Sequence, residues 1–181
     1  MKNKKNQFTI ILLALGAFVT GTGEFVVSGI LELITFDLGV SISTAGQLIT
    51  IYSLSYAIGA LVLVMLTSKF DRKKVLLYSI FTVILGNLLA FFSYNFIVLM
   101  LARVIQAMSG GLFIVVATNY AAQIADPERK GSAMATVLTG FTVSLVLGVP
   151  IGTFLAGYVD WRYVFLIIAF GTVLLLSLIH I

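Results

Sequence analysis

Hydrophobic and polar positions in this chain do not alternate with the period of a surface helix or a half-buried strand. They fall into long apolar runs separated by short polar clusters: "FDLGVSIS", "KFDRKK", "SYN", "ADPERKGS" and "YVDWR". Cutting the chain at these clusters predicts six helices, over residues 8–34, 44–68, 75–93, 95–122, 132–158 and 162–181. About 20 consecutive apolar residues cross a bilayer as a helix, so each run reads as a membrane span. Connectors this short make successive helices antiparallel neighbours. The start, "MKNKKNQFTIILLALGAF", mimics a secretory leader. Its apolar run is too long for a leader and no small-residue cleavage site follows, so it reads as an uncleaved first span.

Composition turns that pattern into a fold class. The 181 residues are 60% hydrophobic and 10% charged, with mean hydropathy +1.14. Soluble domains are about half apolar and about a quarter charged. A soluble core of this size cannot hide so many apolar groups, so the solvent is lipid and the class is an all-α membrane protein. The absence of cysteine excludes disulfides, thiolate nucleophiles and thiolate metal sites.

The net charge of +4 suggests nucleic acid until the cations are sorted by loop. Lys2, Lys4, Lys5, Lys69, Arg72, Lys73, Lys74, Arg129 and Lys130 fall on one side of the predicted bundle. Arg162 falls on the other, and Arg103 lies within a span. That bias puts the N-terminus and the loops after spans two and four in the cytoplasm, and the chain in the cytoplasmic (inner) membrane as a multi-pass protein. The same sorting excludes nucleic acid as a partner: the cations anchor the topology, with no basic face interleaved with aromatics.

Spans three and six carry few polar groups and are expected to face lipid. Spans one, two, four and five are sprinkled with Gly, Ser, Thr, Tyr, Asn and Gln, and are expected to face a wet interior. Small residues also serve close helix packing, which accounts for many of the 16 glycines. Two ionisable residues stand out. Glu24, in "GTGEFVVSG", lies 16 residues beyond Phe8, which at the rise of a helix is roughly 24 Å above the cytoplasmic edge. Arg103, in "MLARVIQAMSGG", lies near 20 Å in a core about 30 Å thick. The two depths agree within a helical turn. One reading is a static ion pair joining spans one and four. The other is a protonation and substrate site, since ionisable residues in a membrane mark ion and substrate paths. Tyr52, Ser53, Tyr56, Gln106 and Thr139 are polar at matching depth and are candidates for the cavity wall. Glu32 is expected to reach water at the outer interface.

Enzymatic chemistry lacks its parts. The one histidine, His180, stands at the chain's end, there is no H-E-x-x-H, and no G-x-x-x-x-G-K-[ST] run offers a nucleotide site. Neither a metal site nor a cofactor is expected; the proton is the expected coupling ion.

Three stretches together resemble the major facilitator superfamily, in particular its drug:proton antiporter group and the sugar-efflux and purine-ribonucleoside-efflux branch. The first is "LGAFVTGTGEFVVSGILELITFDLGVSISTAGQL", which is similar to that branch's first helix and outer loop. The branch usually has Pro where this chain has Glu32, so Glu32 inherits no role. The second is "LTSKFDRKKVLL", in the position of the family's gating motif G-x-L-a-D-R-x-G-R-R. Ser68 takes the Asp place and Asp71 the Gly place, while Lys69, Arg72 and Lys73 keep basic places. The third pairs "RVIQAMSGG", similar to the motif whose intramembrane Arg is linked to proton coupling, with "LGVPIGT", a variant of the glycine-proline antiporter motif. There Gly148, Pro150 and Gly152 match in type.

The resemblance covers residues 8–175. It implies that residues 1–181 form the N-terminal six-helix half of a twelve-helix fold built from three-helix inverted repeats, with a C-terminal half as the partner. The last span ends in "LSLIHI" without a basic flank, and truncation is expected. The function implied is proton-coupled efflux of a small solute such as a sugar, nucleoside or drug, with Glu24 and Arg103 in the coupling site. Lys69, Asp71, Arg72 and Lys73 would form the cytoplasmic gate. The alternatives are uptake or facilitated transport by the same fold, and a six-helix membrane scaffold or a non-functional fragment.

Overall fold

The computed structural model describes residues 2–180, the side chains of 2, 3, 5, 179 and 180 excepted. The anchors at Lys2 and Lys5, the His180 side chain and Ile181 therefore lie outside the described residues. The described chain is helical almost throughout: α1 (Lys2–Gly29), α2 (Leu31–Leu38), α3 (Ile42–Leu66), α4 (Arg72–Phe91), α5 (Phe96–Ile124), α6 (Lys130–Val143), α7 (Val149–Ala156) and α8 (Arg162–His180). A 3₁₀ turn, Pro127–Arg129, precedes α6, and a π turn, Ser144–Gly148, joins α6 to α7. Five stretches are long and apolar enough to cross a membrane: 6–29, 42–66, 72–91, 96–124 and 127–156. The described part of α8 is equally apolar but shorter.

The polar clusters stop and start these helices through their side chains. Ser41, Asp71 and Asn95 accept the backbone N–H of Thr44, Lys74 and Val98 at 3.1, 3.1 and 2.9 Å. Each cap supplies a partner for one of the N–H groups that a helix leaves free in its first turn. Gly39, at φ +63°, closes α2 in the left-handed conformation, which costs glycine little.

Two expected spans are not continuous. The run over 8–34 breaks at Ile30, whose φ of −112° and ψ of 12° leave the helical region, so that α2 becomes a separate rod. The run over 132–158 holds the π turn. Pro150 has no N–H for the turn before it, and Val149 N–H reaches back five residues to the Ser144 carbonyl.

Side chains pack in two apolar clusters with a polar layer between them. Toward the end bearing the basic loops lie Leu13, Ala17, Leu76, Phe113 and Val116. Toward the opposite end lie Val26, Ile30, Leu48, Leu99, Trp161 and Phe165. Residues 20–24 of α1, Tyr52 of α3, Asn87 of α4, and Arg103 and Gln106 of α5 occupy the level between. The helices expected to face lipid do so on one side only. In α4, Tyr78, Phe81 and Leu85 are exposed, whereas Ser79, Val83, Gly86 and Asn87 are buried. α3 and the α6–α7 stretch are the least covered of the spans.

Candidate functional site

Arg103 organises the polar layer. It is fully buried, and its guanidinium is held from three directions. Nη1 donates to the Gly23 carbonyl at 2.7 Å and to Gln106 Oε1 at 3.0 Å; Nη2 donates to the Glu24 carbonyl at 2.8 Å. The Tyr52 ring covers one face, 4.0 Å from its centroid to the guanidinium carbon. A charge removed from water is tolerable only when its donors are met in this way. Each charge-assisted hydrogen bond is worth about 1.5–3 kcal/mol, and a desolvated cation–aromatic contact about 2 kcal/mol.

Arg103 thus meets Glu24 at the level both depths predicted, but through the backbone. Among the described residues neither Glu24 nor Arg103 enters an ion pair, whereas Arg162 pairs with Asp37 and Asp160. The half-buried Glu24 side chain keeps Oε2 out of solvent with no hydrogen-bond partner, and Arg103 Nε is likewise buried and unpartnered. An acceptor and a donor are therefore unsatisfied within one cluster. Unmet polar atoms are rare in folded interiors and call for a functional or structural reason.

The amide of Gln106 is oriented from the other side. Its Nε2 donates to the Gly86 carbonyl at 3.2 Å and to Asn87 Oδ1 at 3.3 Å. Asn87 is fixed in turn by Nδ2 donating to the Val83 carbonyl at 2.8 Å. Asn87 belongs to the site and did not stand out in the sequence, because one amide in an apolar span looks like a packing residue. A signal existed: Asn87 and Arg103 each lie eight residues from Asn95, in the tight turn joining α4 to α5, which sets them level in an antiparallel pair.

Not every candidate joins this cluster. Tyr56 stacks on Tyr52, with ring centroids 6.3 Å apart, one turn along α3. Ser53 is exposed on α3. Thr139 is exposed as well; its hydroxyl donates to the Ala135 carbonyl at 2.8 Å, and it lines a separate open groove with Ile11, Ala14 and Phe18. Neither is among the residues that hold Arg103; depth read from the sequence carries no information about azimuth. Glu32 is exposed on α2. In the 69–74 loop, Asp71 caps α4 through Lys74 N–H, while Lys69 and Lys73 are exposed. Asp71 makes no ion pair among the described residues.

The glycine-proline stretch forms a seam. Gly148 and Gly152 pack on α1, where added Cβ atoms would strike Thr22 and Val26 respectively. Gly140 and Ser144 continue the same edge at four-residue spacing, against Ala14 and Gly21. Pro150 is exposed on the opposite side.

At the end away from the basic loops, Arg162 collects three connections. It pairs with Asp37 of α2 at 2.7 Å and with Asp160 at 3.2 Å, and its Nε donates to the Ser93 carbonyl at 2.8 Å.

Comparison with known proteins agrees with this arrangement. The sequence profile of the Major Facilitator Superfamily matches residues 13–180. The chain is 43% identical over 174 residues to the uncharacterized MFS-type transporter YbcL of Bacillus subtilis, covering 96% of this chain and 43% of that protein. It is 31% identical over 171 residues to the putative transporter AraJ of Escherichia coli, covering 94% of this chain and 43% of that protein. The chain thus spans less than half the length of these relatives. Its backbone superposes on the inward-open xylose transporter XylE of E. coli with a TM-score of 0.84 at 16% identity, over 97% of this chain and 48% of that one. The relatives are named as transporters, not enzymes. With its profile matched from the first span to the last, and its buried arginine seated on the first helix, this chain belongs to the Major Facilitator Superfamily.

Proposed function

We propose that this chain is the N-terminal half of a twelve-helix, proton-coupled exporter of a small solute in the cytoplasmic membrane, with its N-terminus in the cytoplasm. The observation that carries this reading is the unpartnered Glu24 carboxylate beside the buried Arg103, both within spans. A carboxyl that no protein donor holds is available to take up a proton or to meet a solute once the cavity opens. The guanidinium beside it supplies the opposing charge. α3 and α6–α7, the least covered spans, supply the surface against which a second half would rock in alternating access. Lys69 and Lys73, exposed beside the capped start of α4, and the half-buried Arg72 form the cytoplasmic gate in this reading, with Asp71 as the cap. The sugar-efflux and purine-ribonucleoside-efflux branch is the proposed affiliation, on the motif residues of α1, α5 and α7.

The test uses the full-length protein in inverted membrane vesicles with an imposed pH gradient. Sugars, nucleosides and cationic dyes are added in turn, and proton movement is followed with a pH-sensitive probe. Export by antiport predicts proton efflux from the vesicle lumen upon solute entry, lost in Glu24→Gln. Solute and proton moving together would replace antiport by symport. Transport by Glu24→Gln with an unchanged pH dependence would remove the proton role.

A further inference from the structure

Three pockets follow one another along α1. The first, about 250 Å³, lies at the end bearing the basic loops, and Asn6, Gln7, Asp126, Arg129 and Ser132 are among its walls. The second, about 450 Å³, shares Ile11, Ser132 and Thr136 with the first and continues past Ala14, Leu15, Phe18 and Val143. The third, about 210 Å³, shares Phe18 with the second and runs on between α1, α7 and α8, past Thr22, Ile151 and Ile167. Common walls make them one crevice, polar at its mouth and apolar beyond. The apolar part offers little to a polar solute: Thr22, Thr136 and Thr139 turn their hydroxyls to the carbonyls of Phe18, Ser132 and Ala135, at 2.8, 2.9 and 2.8 Å. From Asn6 to Thr22 the crevice follows 16 residues of α1, roughly 24 Å of helix. One leaflet of a bilayer with its headgroup layer is about 20–22 Å deep. At about 100° per residue, Ile11, Leu15, Phe18 and Thr22 lie at least about 120° around α1 from Glu24.

We propose that this crevice binds one molecule of phosphatidylglycerol from the leaflet beside the basic loops. Arg129 meets the phosphate at the mouth, and an acyl chain lies along α1 between α6–α7 and α8. Length and polarity both fit: a charged head at one end, hydrocarbon for the rest, and the depth of one leaflet between. The sign of the head follows from the charges around the mouth. Lys4, Arg129 and Lys130 stand there against Asp126 and Glu128, which leaves a cationic excess for an anionic lipid to balance. The two glycerol hydroxyls of the head are donors, which Asp126, Ser132 and Gln7 are able to accept. That lipid touches this side of α1 follows from the half-transporter reading, in which the two halves meet on the Glu24 side; the binding itself is measured without transport.

The test is native mass spectrometry of the full-length protein, taken into mild detergent from vesicles of equal phosphatidylglycerol and phosphatidylethanolamine, with the lipid that stays attached as the readout. One phosphatidylglycerol per chain is expected, enriched about tenfold over phosphatidylethanolamine, the effect of one charge-assisted contact. Arg129→Gln is expected to bring the two lipids to parity. Ala135→Trp plugs the crevice from an exposed position and is expected to remove the retained lipid; Thr139→Phe, one turn on, does the same should the first variant fail to fold. Lys74→Gln removes an exposed cation from the other basic loop and is expected to leave retention unchanged. Circular dichroism identifies the folded variants. Equal retention of both lipids by the wild type overturns the proposal, as does lipid that survives a folded plugged variant, or a loss in Lys74→Gln equal to that in Arg129→Gln. So does the absence of any retained lipid, which would leave the crevice to a helix of the second half. Proton coupling is read in a separate assay: its loss leaves the lipid site standing, and failure of lipid retention leaves the coupling reading untouched.

Discussion

Arg103 is placed so that no other cation can stand in for it. Two carbonyls, one amide oxygen and one aromatic face are met by a planar fork, and an ammonium matches that geometry at one point only. Arg103→Lys is therefore expected to lower the unfolding free energy by about 1–3 kcal/mol, for at least one stranded buried acceptor, and thermal unfolding in detergent checks it. Arg103→Leu is expected to cost more, since it leaves Gln106 Oε1 without its donor in a dry interior. At this scale the sequence revealed the level of each charged residue but not its partner. Run length and helical rise set Glu24 and Arg103 within a turn of each other. Nothing in the residue types says that the guanidinium binds main-chain carbonyls, because every residue carries one. Ser53 and Thr139 illustrate the same gap. Their depth is readable from the nearest loop, whereas the side of the helix on which they lie depends on packing angles that appear only once the bundle is assembled.

Among the elements, α1 and the α6–α7 stretch approach each other closely along a row of small residues. Gly140, Ser144, Gly148 and Gly152 repeat at four-residue spacing along one edge. On a straight α-helix such a row drifts by about 40° per step, because a turn holds 3.6 residues. The π turn over Ser144–Gly148 winds less per residue and takes back part of that drift, so the row stays on α1 along its whole length. Gly140 is the least forgiving of the row: a Cβ there would run into the main chain at Ala14, which has no rotamer to offer. Gly140→Val is expected to force the two helices apart and to destabilise the chain by about 1–3 kcal/mol or more. Gly131→Ala, whose added carbon meets nothing, is expected to leave stability within about 0.5 kcal/mol. The same detergent melts distinguish the two. Helix existence and order were legible from the apolar runs; the polar clusters marked where to cut, while the caps at Ser41, Asp71 and Asn95 within them emerged only from the structure. The π turn and the break at Ile30 were not. Pro150 announces a disturbance without its type, and at Ile30 the apolar pattern continues unbroken through the bend.

For the molecule as a whole, the polar layer is roofed by the apolar cluster around Trp161 and Phe165, and above that cluster Arg162 ties three separate connections together. The α2 rod is fastened there by Asp37, while Asp160 and the Ser93 carbonyl hold the same guanidinium from α8's own loop and from the α4–α5 turn. The Arg162 side chain is 10% exposed and its guanidinium lies 4.3 Å from the Trp161 ring centroid. Because α2 follows the break at Ile30, the helix cannot transmit the position of α1 to it rigidly; Asp37 supplies the second attachment. Asp37→Asn removes the charge and keeps the shape. Ion pairs at a surface are worth about 0.2–1 kcal/mol, and a short one to a nearly buried arginine belongs at or above the top of that range. The expected result is a loss of about 1 kcal/mol that raised salt also produces in part in the wild type, since Asp37 is 39% exposed and open to screening. The chain has one tryptophan, so its fluorescence reports on this end alone. Loosening α2 is expected to let water reach Trp161, which is 3% exposed in the closed arrangement, and to move its emission to longer wavelength. Asp160→Asn leaves the Asp37 contact in place and is expected to move the emission less. Equal shifts in both variants would mean that Arg162 senses its total charge environment rather than the rod, and that α2 is held by Ile34 and its apolar neighbours instead.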